Sequence, residues 1–271
     1  MARLINKPAV CQLDAVLFPG GLEPGHIVEL NGEEGTGKSQ YLLHLLATAI
    51  LPATVSGVDV GGLNAEVLFV DTRYTFSILR LVALLEHRLS AALNKSDDTC
   101  TPEKSNAEAE DPVESAVRQC LARFFFVRCS SSSQLAVTLC SLESVLAAKP
   151  NIRLLLLDDV SAFYHRDVFT NTESHFCLCI SLLKKLVSTR QLIVIATQTR
   201  IDVVKLGFKH DAGGDSVNTY LSAWRQLRTH RRTFAKTDLK NTFSVTAESA
   251  NDDATQVHFT AVEAGIKIVS R

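Results

Sequence analysis

The residues from Gly32 to Ser39 have the types and spacing of a loop that binds phosphate. They read GEEGTGKS and match the pattern G-x-x-x-x-G-K-[ST] in full. Glycines allow close approaches that a side chain would block, so backbone amide hydrogens can face an anion. Lys38 would place a positive charge on the β- and γ-phosphates, and Ser39 would offer a hydroxyl to Mg²⁺. The predicted nucleotide-binding residues of this loop are Gly32, Glu33, Glu34, Gly35, Thr36, Gly37, Lys38 and Ser39.

A second segment predicts the metal side of the same site. Residues 153–159 read RLLLLDD, an apolar strand that ends in acids. Asp158 would reach the shell of Mg²⁺ through water, and Asp159 is the competing candidate. An acid at the end of a buried strand is a weak signal alone, and the phosphate loop strengthens it. The two motifs together predict a site for ATP with Mg²⁺.

Buried strands alternate with amphipathic helices through most of the chain. Strands are predicted at 27–30 and 66–71 and in RFFFVRC, RLLLLDD and LIVIATQT, with helices at 38–51 and 76–93 and in SSQLAVTLCSLESVLAAK and HFCLCISLLKKLVSTR. This alternation indicates a parallel sheet covered on both sides. After residue 200, TYLSAWRQLR, RRTFAK, NTFSVTAES and QVHFTAVEAGIKIV predict shorter antiparallel strands. The expected fold class is α/β, with a mostly parallel central sheet, helices on both faces and a C-terminal antiparallel extension.

The composition narrows the class of protein. The formal net charge is −1, so any contact with nucleic acid must come from a local patch. The 7 cysteines form no CxxC pair, which favours buried thiols over a metal or disulfide site. Apolar stretches are too short or too charged to span a membrane. Residues 95–114 are polar and acidic, which predicts a disordered insertion within a single domain spanning residues 1–271.

Four segments resemble the core of RecA-type recombinases. LDAVLFPGGLEPGHIVELNGEEGTGKSQYLLHLLA is similar to the entry to that core, and EVLFVDTRYTFSILRL to its next strand and helix. LLLLDDVSAFYHRD resembles its metal-binding strand, and LIVIATQT resembles the strand whose glutamine senses the γ-phosphate. Gln198 matches that glutamine. The resemblance covers about residues 13 to 200 and implies a RecA-like ATPase core that binds ATP and Mg²⁺.

One residue departs from the pattern of active recombinases. Their second strand ends Asp-Thr-Glu, and that glutamate orients the attacking water, whereas this chain has Asp71, Thr72 and Arg73. Arginine cannot accept a proton at any workable pH, and general-base help is worth about 10²–10⁴-fold in rate. Hydrolysis is therefore expected to be weak or absent unless another group supplies the base. Whether Arg73 instead contacts phosphate or a partner is left open.

A second departure concerns the N-terminus. The core begins near residue 13, which leaves no room for the family's N-terminal helical domain and linker. Such a chain could accept a neighbour's linker without donating its own, and would end a row of subunits without forming a filament. The resemblance implies a nuclear complex of recombinase paralogues, bound directly by the D-type paralogue. That complex would support recombinase filaments on single-stranded DNA during homologous recombination.

A basic cluster lies in the segment WRQLRTHRR. Arginines beside an aromatic residue suit phosphate contact and base stacking, on single-stranded or branched DNA. A solvated strand face or an interface with an acidic partner is favoured over DNA, because the net charge is near neutral. The residues of this basic cluster, predicted as DNA or partner contacts, are Arg225, Arg228, Arg231 and Arg232.

The leading hypothesis is an ATP-binding subunit of a DNA-repair complex. One alternative is a DNA-stimulated ATPase, which needs a substitute for the missing glutamate. Another is a scaffold subunit whose partner binding ignores nucleotide. The remote alternative is a small-molecule kinase with a phosphate loop, ranked last because the chain lacks an evident lid over an acceptor.

Overall fold

The computed structural model describes residues 14, 16–18, 20–97, 111–170, 172, 174–200, 222–247 and 256–270. Its helices are α1 (Lys38–Ile50), α2 (Ile78–Asp97), α3 (Pro112–Ala122), α4 (Ser132–Ala148), α5 (Tyr164–Phe169) and α6 (Ser174–Arg190). Its strands are β1 (Ile27–Gly32), β2 (Thr54–Val55), β3 (Val58–Asp59), β4 (Glu66–Asp71), β5 (Phe124–Arg128), β6 (Ile152–Asp158), β7 (Ile193–Thr199), β8 (His230–Lys236), β9 (Thr242–Ala247), β10 (Gln256–Val262) and β11 (Gly265–Ser270). None of these helices combines the length and apolarity needed to cross a bilayer.

One large sheet organises the described residues. Its strand order is β11-β10-β9-β8-β1-β7-β6-β4-β5. The strands from β8 to β5 in that order run parallel, and β9, β10 and β11 extend the sheet with antiparallel pairs. Gly32 lies beside Thr199, and Asp71 lies beside Asp158. The carboxyl ends of β1, β7, β6 and β4 therefore meet at one edge, where ligands bind in open parallel sheets.

Two apolar layers hold the sheet between the helices. Side chains of β6 alternate between the layers, with Leu154 and Leu156 in one and Leu155 and Leu157 in the other. The first layer includes buried residues of α1, α2 and α3, and the second includes those of α4 and α6. This two-sided burial confirms the predicted α/β class and explains why β6 reads as an unbroken apolar run.

Two local predictions are wrong. Residues 222–227 are helical, not a strand, and Trp224 within them is buried in the second apolar layer. Helix α3 was not predicted; it begins with Pro112 after Asp111, whose side chain accepts a hydrogen bond from the Val113 amide. Of the insertion predicted at 95–114, residues 98–110 lie outside the described residues. Its flanks at 95–97 and 112–114 are helical, contrary to that prediction.

Candidate nucleotide-binding site

The phosphate loop has the predicted strand-loop-helix context. It begins at the end of β1 and closes at Lys38, the first residue of α1. Gly37 takes a φ of 88°, in the left-handed region that favours glycine. A Cβ on Gly37 would lie 3.0 Å from the ring of Phe243, so the close packing of β9 against the loop also favours glycine here.

Lys38 is buried in the loop that it follows. Its Nζ donates hydrogen bonds to the carbonyl oxygens of Gly32 at 2.7 Å and Glu33 at 2.6 Å. Burial lowers the pKa of Lys38, and the negative charge of Asp159 opposes that shift. The ammonium is held within the loop, where a phosphate could replace solvent as a further partner.

Ser39 and Asp158 meet across the sheet edge. The Ser39 hydroxyl donates to Asp158 Oδ1 at 3.1 Å, and the Thr197 hydroxyl donates to the same oxygen at 2.6 Å. Burial raises the pKa of Asp158, and the two hydroxyl donors oppose that shift. The predicted hydroxyl and carboxylate of the metal side therefore converge, although the sequence places them 119 residues apart.

A cavity of about 380 Å³, the loop cavity, opens beside these residues. Apolar and aromatic side chains next to the loop can pack against a nucleobase. The lining residues include Glu34 to Gln40 of the loop and α1, Arg73, Asp158, Asp159, Thr197 and Thr199 at the strand ends, Arg80 of α2, and Leu43, Phe69, Phe76 and Phe243.

The donor set fits magnesium held by a nucleotide. Among the described residues there is no group of three or more His, Cys, Asp or Glu side chains that could hold a metal ion. Magnesium is commonly held by one or two carboxylates with substrate phosphates and water, not by an all-protein cage. Asp158 and Ser39 supply that kind of partial shell, and Lys38 supplies the charge for the phosphates.

Gln198 does not face the loop cavity. Its neighbours Thr197 and Thr199 line that cavity, while Gln198 lines a second cavity of about 730 Å³ together with Arg200. Successive side chains of a strand point to opposite faces of the sheet, so Gln198 lies on the opposite face from Thr197 and Thr199. The structure therefore places Gln198 in the second cavity, which Gly32, Glu33 and Thr36 of the phosphate loop also line, and not in the loop cavity.

Arg73 lies inside the site. Its guanidinium contacts Glu34 Oε1 at 2.5 Å, the Thr199 hydroxyl at 3.0 Å and Asp159 Oδ2 at 3.5 Å. It therefore joins the phosphate loop to the ends of β6 and β7. Sequence reasoning found the position of Arg73 but had no signal for these partners, which lie far apart along the chain.

Two arginines of the basic cluster pair with a buried acid beside the second cavity. Arg228 and Arg231 form ion pairs with Glu29 at 2.9 and 3.2 Å, and the Trp224 indole donates to Glu29 at 3.1 Å. Glu29 is 1% exposed, and burial raises its pKa while the two arginines oppose that shift. The charged residue within the buried strand IVEL was the signal for this pairing, and sequence reasoning missed it.

The four arginines of the basic cluster differ in exposure. Arg232 is buried, donates to the carbonyl oxygen of Leu17 and lies 4.8 Å over the ring of Phe18. The prediction that Arg232 contacts DNA or a partner is therefore wrong, since this guanidinium is used inside the fold. Arg225 is exposed and lines the second cavity, so its side chain is accessible to DNA or to a partner.

Comparison with known proteins identifies the class. The Rad51 family model matches residues 5–99. DNA repair protein XRCC2 of Mus musculus is 35% identical over 98% of this chain and 94% of its own length. The DNA repair protein XRCC2 homolog of Arabidopsis thaliana is 31% identical over 66% of this chain and 56% of its own length. The chain belongs to the Rad51 family.

These relatives confirm the expected function at the level of the family. The chain is a DNA repair protein of homologous recombination. Segments such as EVLFVDT, RFFFVRCSSS and LDDVSAFY also resemble X-ray repair cross-complementing protein 2, a recombinase paralogue. The similarity to mouse XRCC2 over nearly the whole chain confirms that resemblance.

Proposed function

We propose that this chain is an ATP-binding recombinase paralogue that holds nucleotide and hydrolyses it weakly or not at all. The observation that supports this best is the meeting of Lys38, Ser39 and Asp158 at one cavity, with Arg73 where a catalytic glutamate is expected. The full match of GEEGTGKS to a phosphate-binding loop supports the same proposal. Bound ATP would supply the charges that fix the loop, and binding alone could then set the shape of a subunit boundary.

The chain would act within a complex of recombinase paralogues. Its direct partner would be the D-type paralogue, and the complex would support recombinase filaments on single-stranded DNA at breaks, crosslinks or stalled forks in the nucleus. The chain would occupy a terminal position and contact DNA mainly through the complex. Similarity to DNA repair protein RAD51 homolog 2 of Mus musculus, 33% over 32% of this chain, supports a place among paralogues.

The residues of the site have separate tasks in this proposal. Lys38 would neutralise the β- and γ-phosphates, and the amide N–H groups at the start of α1 would donate hydrogen bonds to the same anion. Ser39 and Asp158 would hold Mg²⁺, Ser39 directly and Asp158 through water. The magnesium would supply charge neutralisation of the phosphates.

A titration with ATP and a single-turnover assay test this proposal. The chain is co-purified with the D-type paralogue, with Lys38→Ala prepared in parallel and Glu86→Gln of α2 as an exposed control outside the cavity. We expect ATP binding without turnover, an affinity at least about 100-fold weaker in Lys38→Ala, and no change in Glu86→Gln. Turnover that Lys38→Ala abolishes would instead show an ATPase. Absence of binding, or equal binding by Lys38→Ala, would leave the scaffold reading.

A further inference from the structure

Hydrogen bonds made by Asp71 and Thr72 fix the backbone of the turn that carries Arg73. Asp71 is fully buried, accepts hydrogen bonds from the Arg73 and Tyr74 amides at 3.1 and 2.8 Å, and pairs with Arg128 at 3.1 Å. The Thr72 hydroxyl accepts from the Asp159 amide at 2.7 Å. The backbone under Arg73 is therefore fixed to the ends of β4 and β6, and its side chain starts from a defined point at the cavity.

The partners of the Arg73 side chain differ in how firmly they are held. Asp159 is 2% exposed and already accepts from the amide and hydroxyl of Ser161 at 2.7 Å each, and from the Thr199 amide at 3.1 Å. Its contact with Arg73 is long, at 3.5 Å. Glu34 is 77% exposed at its side chain, so its ion pair with Arg73 is screened by solvent and weak.

Arg73 can therefore exchange one partner without disturbing the other. A guanidinium has five N–H donors in a planar fork that matches phosphate oxygens. The Thr199 hydroxyl steadies one nitrogen, at 3.0 Å, while the other nitrogen is bonded to the exposed Glu34. Arg73 lines the same cavity as Lys38, so its second nitrogen is available to an anion bound there, and a terminal phosphate is a stronger partner than a solvated carboxylate.

We propose that Arg73 binds the terminal phosphate and makes the site selective for nucleoside triphosphate over diphosphate, with Glu34 as its partner in the empty site. The inference rests on the proposed nucleotide site. Arg73, which cannot act as a general base, would thus bind the terminal phosphate that the protein does not cleave. A diphosphate leaves Arg73 paired with Glu34, and a triphosphate releases Glu34 to solvent.

The test compares affinities for ADP and for a non-hydrolysable ATP analogue, using the full chain with its co-expressed partner. We expect Arg73→Gln to weaken binding of the triphosphate by about 10–100-fold and that of ADP by less than about 3-fold. Arg73→Lys should weaken triphosphate binding less than Arg73→Gln does, because lysine keeps the positive charge and loses the planar fork of donors. Glu34→Gln should tighten triphosphate binding by no more than about 5-fold, and that gain should vanish beside Arg73→Gln.

Arg80→Gln is the matched control for charge. Arg80 lines the same cavity on the side of Gln40, to which it donates at 2.6 Å, so its loss should change both affinities by the same factor. Equal weakening of ADP and triphosphate in Arg73→Gln would overturn the inference, as would no change in either. A melting temperature of the empty protein within about 2 °C of the wild type excludes misfolding. Failure of Lys38→Ala to weaken binding would instead reject the nucleotide site itself.

Discussion

The loop cavity and the basic cluster both combine acids with cations, yet their buried acids have different hydrogen-bond and ion-pair partners. In the loop cavity the acids lie at the ends of strands, and Asp158 is satisfied by the hydroxyls of Ser39 and Thr197. In the basic cluster, Glu29 lies inside β1 and is satisfied by Arg228 and Arg231. Asp158 meets its cavity with neutral hydroxyl partners, whereas Glu29, beside the second cavity, is neutralised by two arginines.

The largest effect that would separate the two regions is expected at Glu29. Glu29→Gln keeps the shape but leaves two guanidiniums without their counter-charge. We expect a loss of about 2–3 kcal/mol in the free energy of unfolding, below the range of fully buried pairs because both arginines keep some exposure. Urea unfolding measures it, with Glu33→Gln as an exposed control. A change below about 0.5 kcal/mol would mean that the ion pairs contribute little.

Asp158 should respond in the opposite direction. Asp158→Asn removes a buried charge while its amide oxygen still accepts from the same two hydroxyls, so we expect the empty protein to gain about 0.5–2 kcal/mol at pH 7. The same variant should need more Mg²⁺ to bind ATP. Unfolding curves with and without nucleotide measure both effects. A destabilised empty protein would contradict the view that this carboxylate is retained for its ligand.

The stability gained in Asp158→Asn should depend on pH. Burial raises the pKa of Asp158 in the folded chain, so ionisation costs its full stability penalty above the folded pKa; that cost shrinks as the pH falls below the folded pKa and is gone below the unfolded pKa. The advantage of Asp158→Asn should therefore shrink in acid. Urea unfolding at pH 7 and at successively lower pH values measures the difference, and a constant advantage would reject this cause.

The smallest effects are expected at the exposed edge of the basic cluster. Arg225→Ala should change the free energy of unfolding by less than about 0.5 kcal/mol, because this side chain is exposed. If Arg225 contacts a phosphate in the assembled complex, the same variant should lower the salt dependence of single-stranded DNA binding by about one unit of slope. An unchanged slope would assign the contact to a partner subunit or to none.

Prediction from sequence placed residues correctly where a motif is contiguous and its partner ends at the same edge of the parallel sheet. Lys38 and Ser39 belong to a recognisable loop at the end of β1. The parallel sheet brings Asp158, the last residue of β6, to the same edge, where it meets Ser39. The α/β class followed equally well, because strands buried on both faces read as unbroken apolar runs.

The failures have physical causes in particular residues. Gln198 faces the wrong cavity because a family match gives a position in the strand and not the face on which the side chain lies. Arg232 looks like a surface cation until the carbonyl of Leu17, 215 residues earlier, is seen to accept from it. The helix at 222–227 is too short for a clear periodic signal, and burial of Trp224 stabilises it through contacts that only the fold supplies.

The pairing of β8 with β1, and the contact of Phe243 with the loop, matter for inherited truncations. Both nucleotide motifs are complete by residue 159, yet one wall of the cavity comes from β9, about eighty residues later. A premature stop codon between residues 200 and 229 would leave every recognisable motif, including LIVIATQT, in the reading frame and would remove β8. It would also expose β1 as an edge strand, open to aggregation. Such an allele should behave as a null, despite encoding the whole motif set.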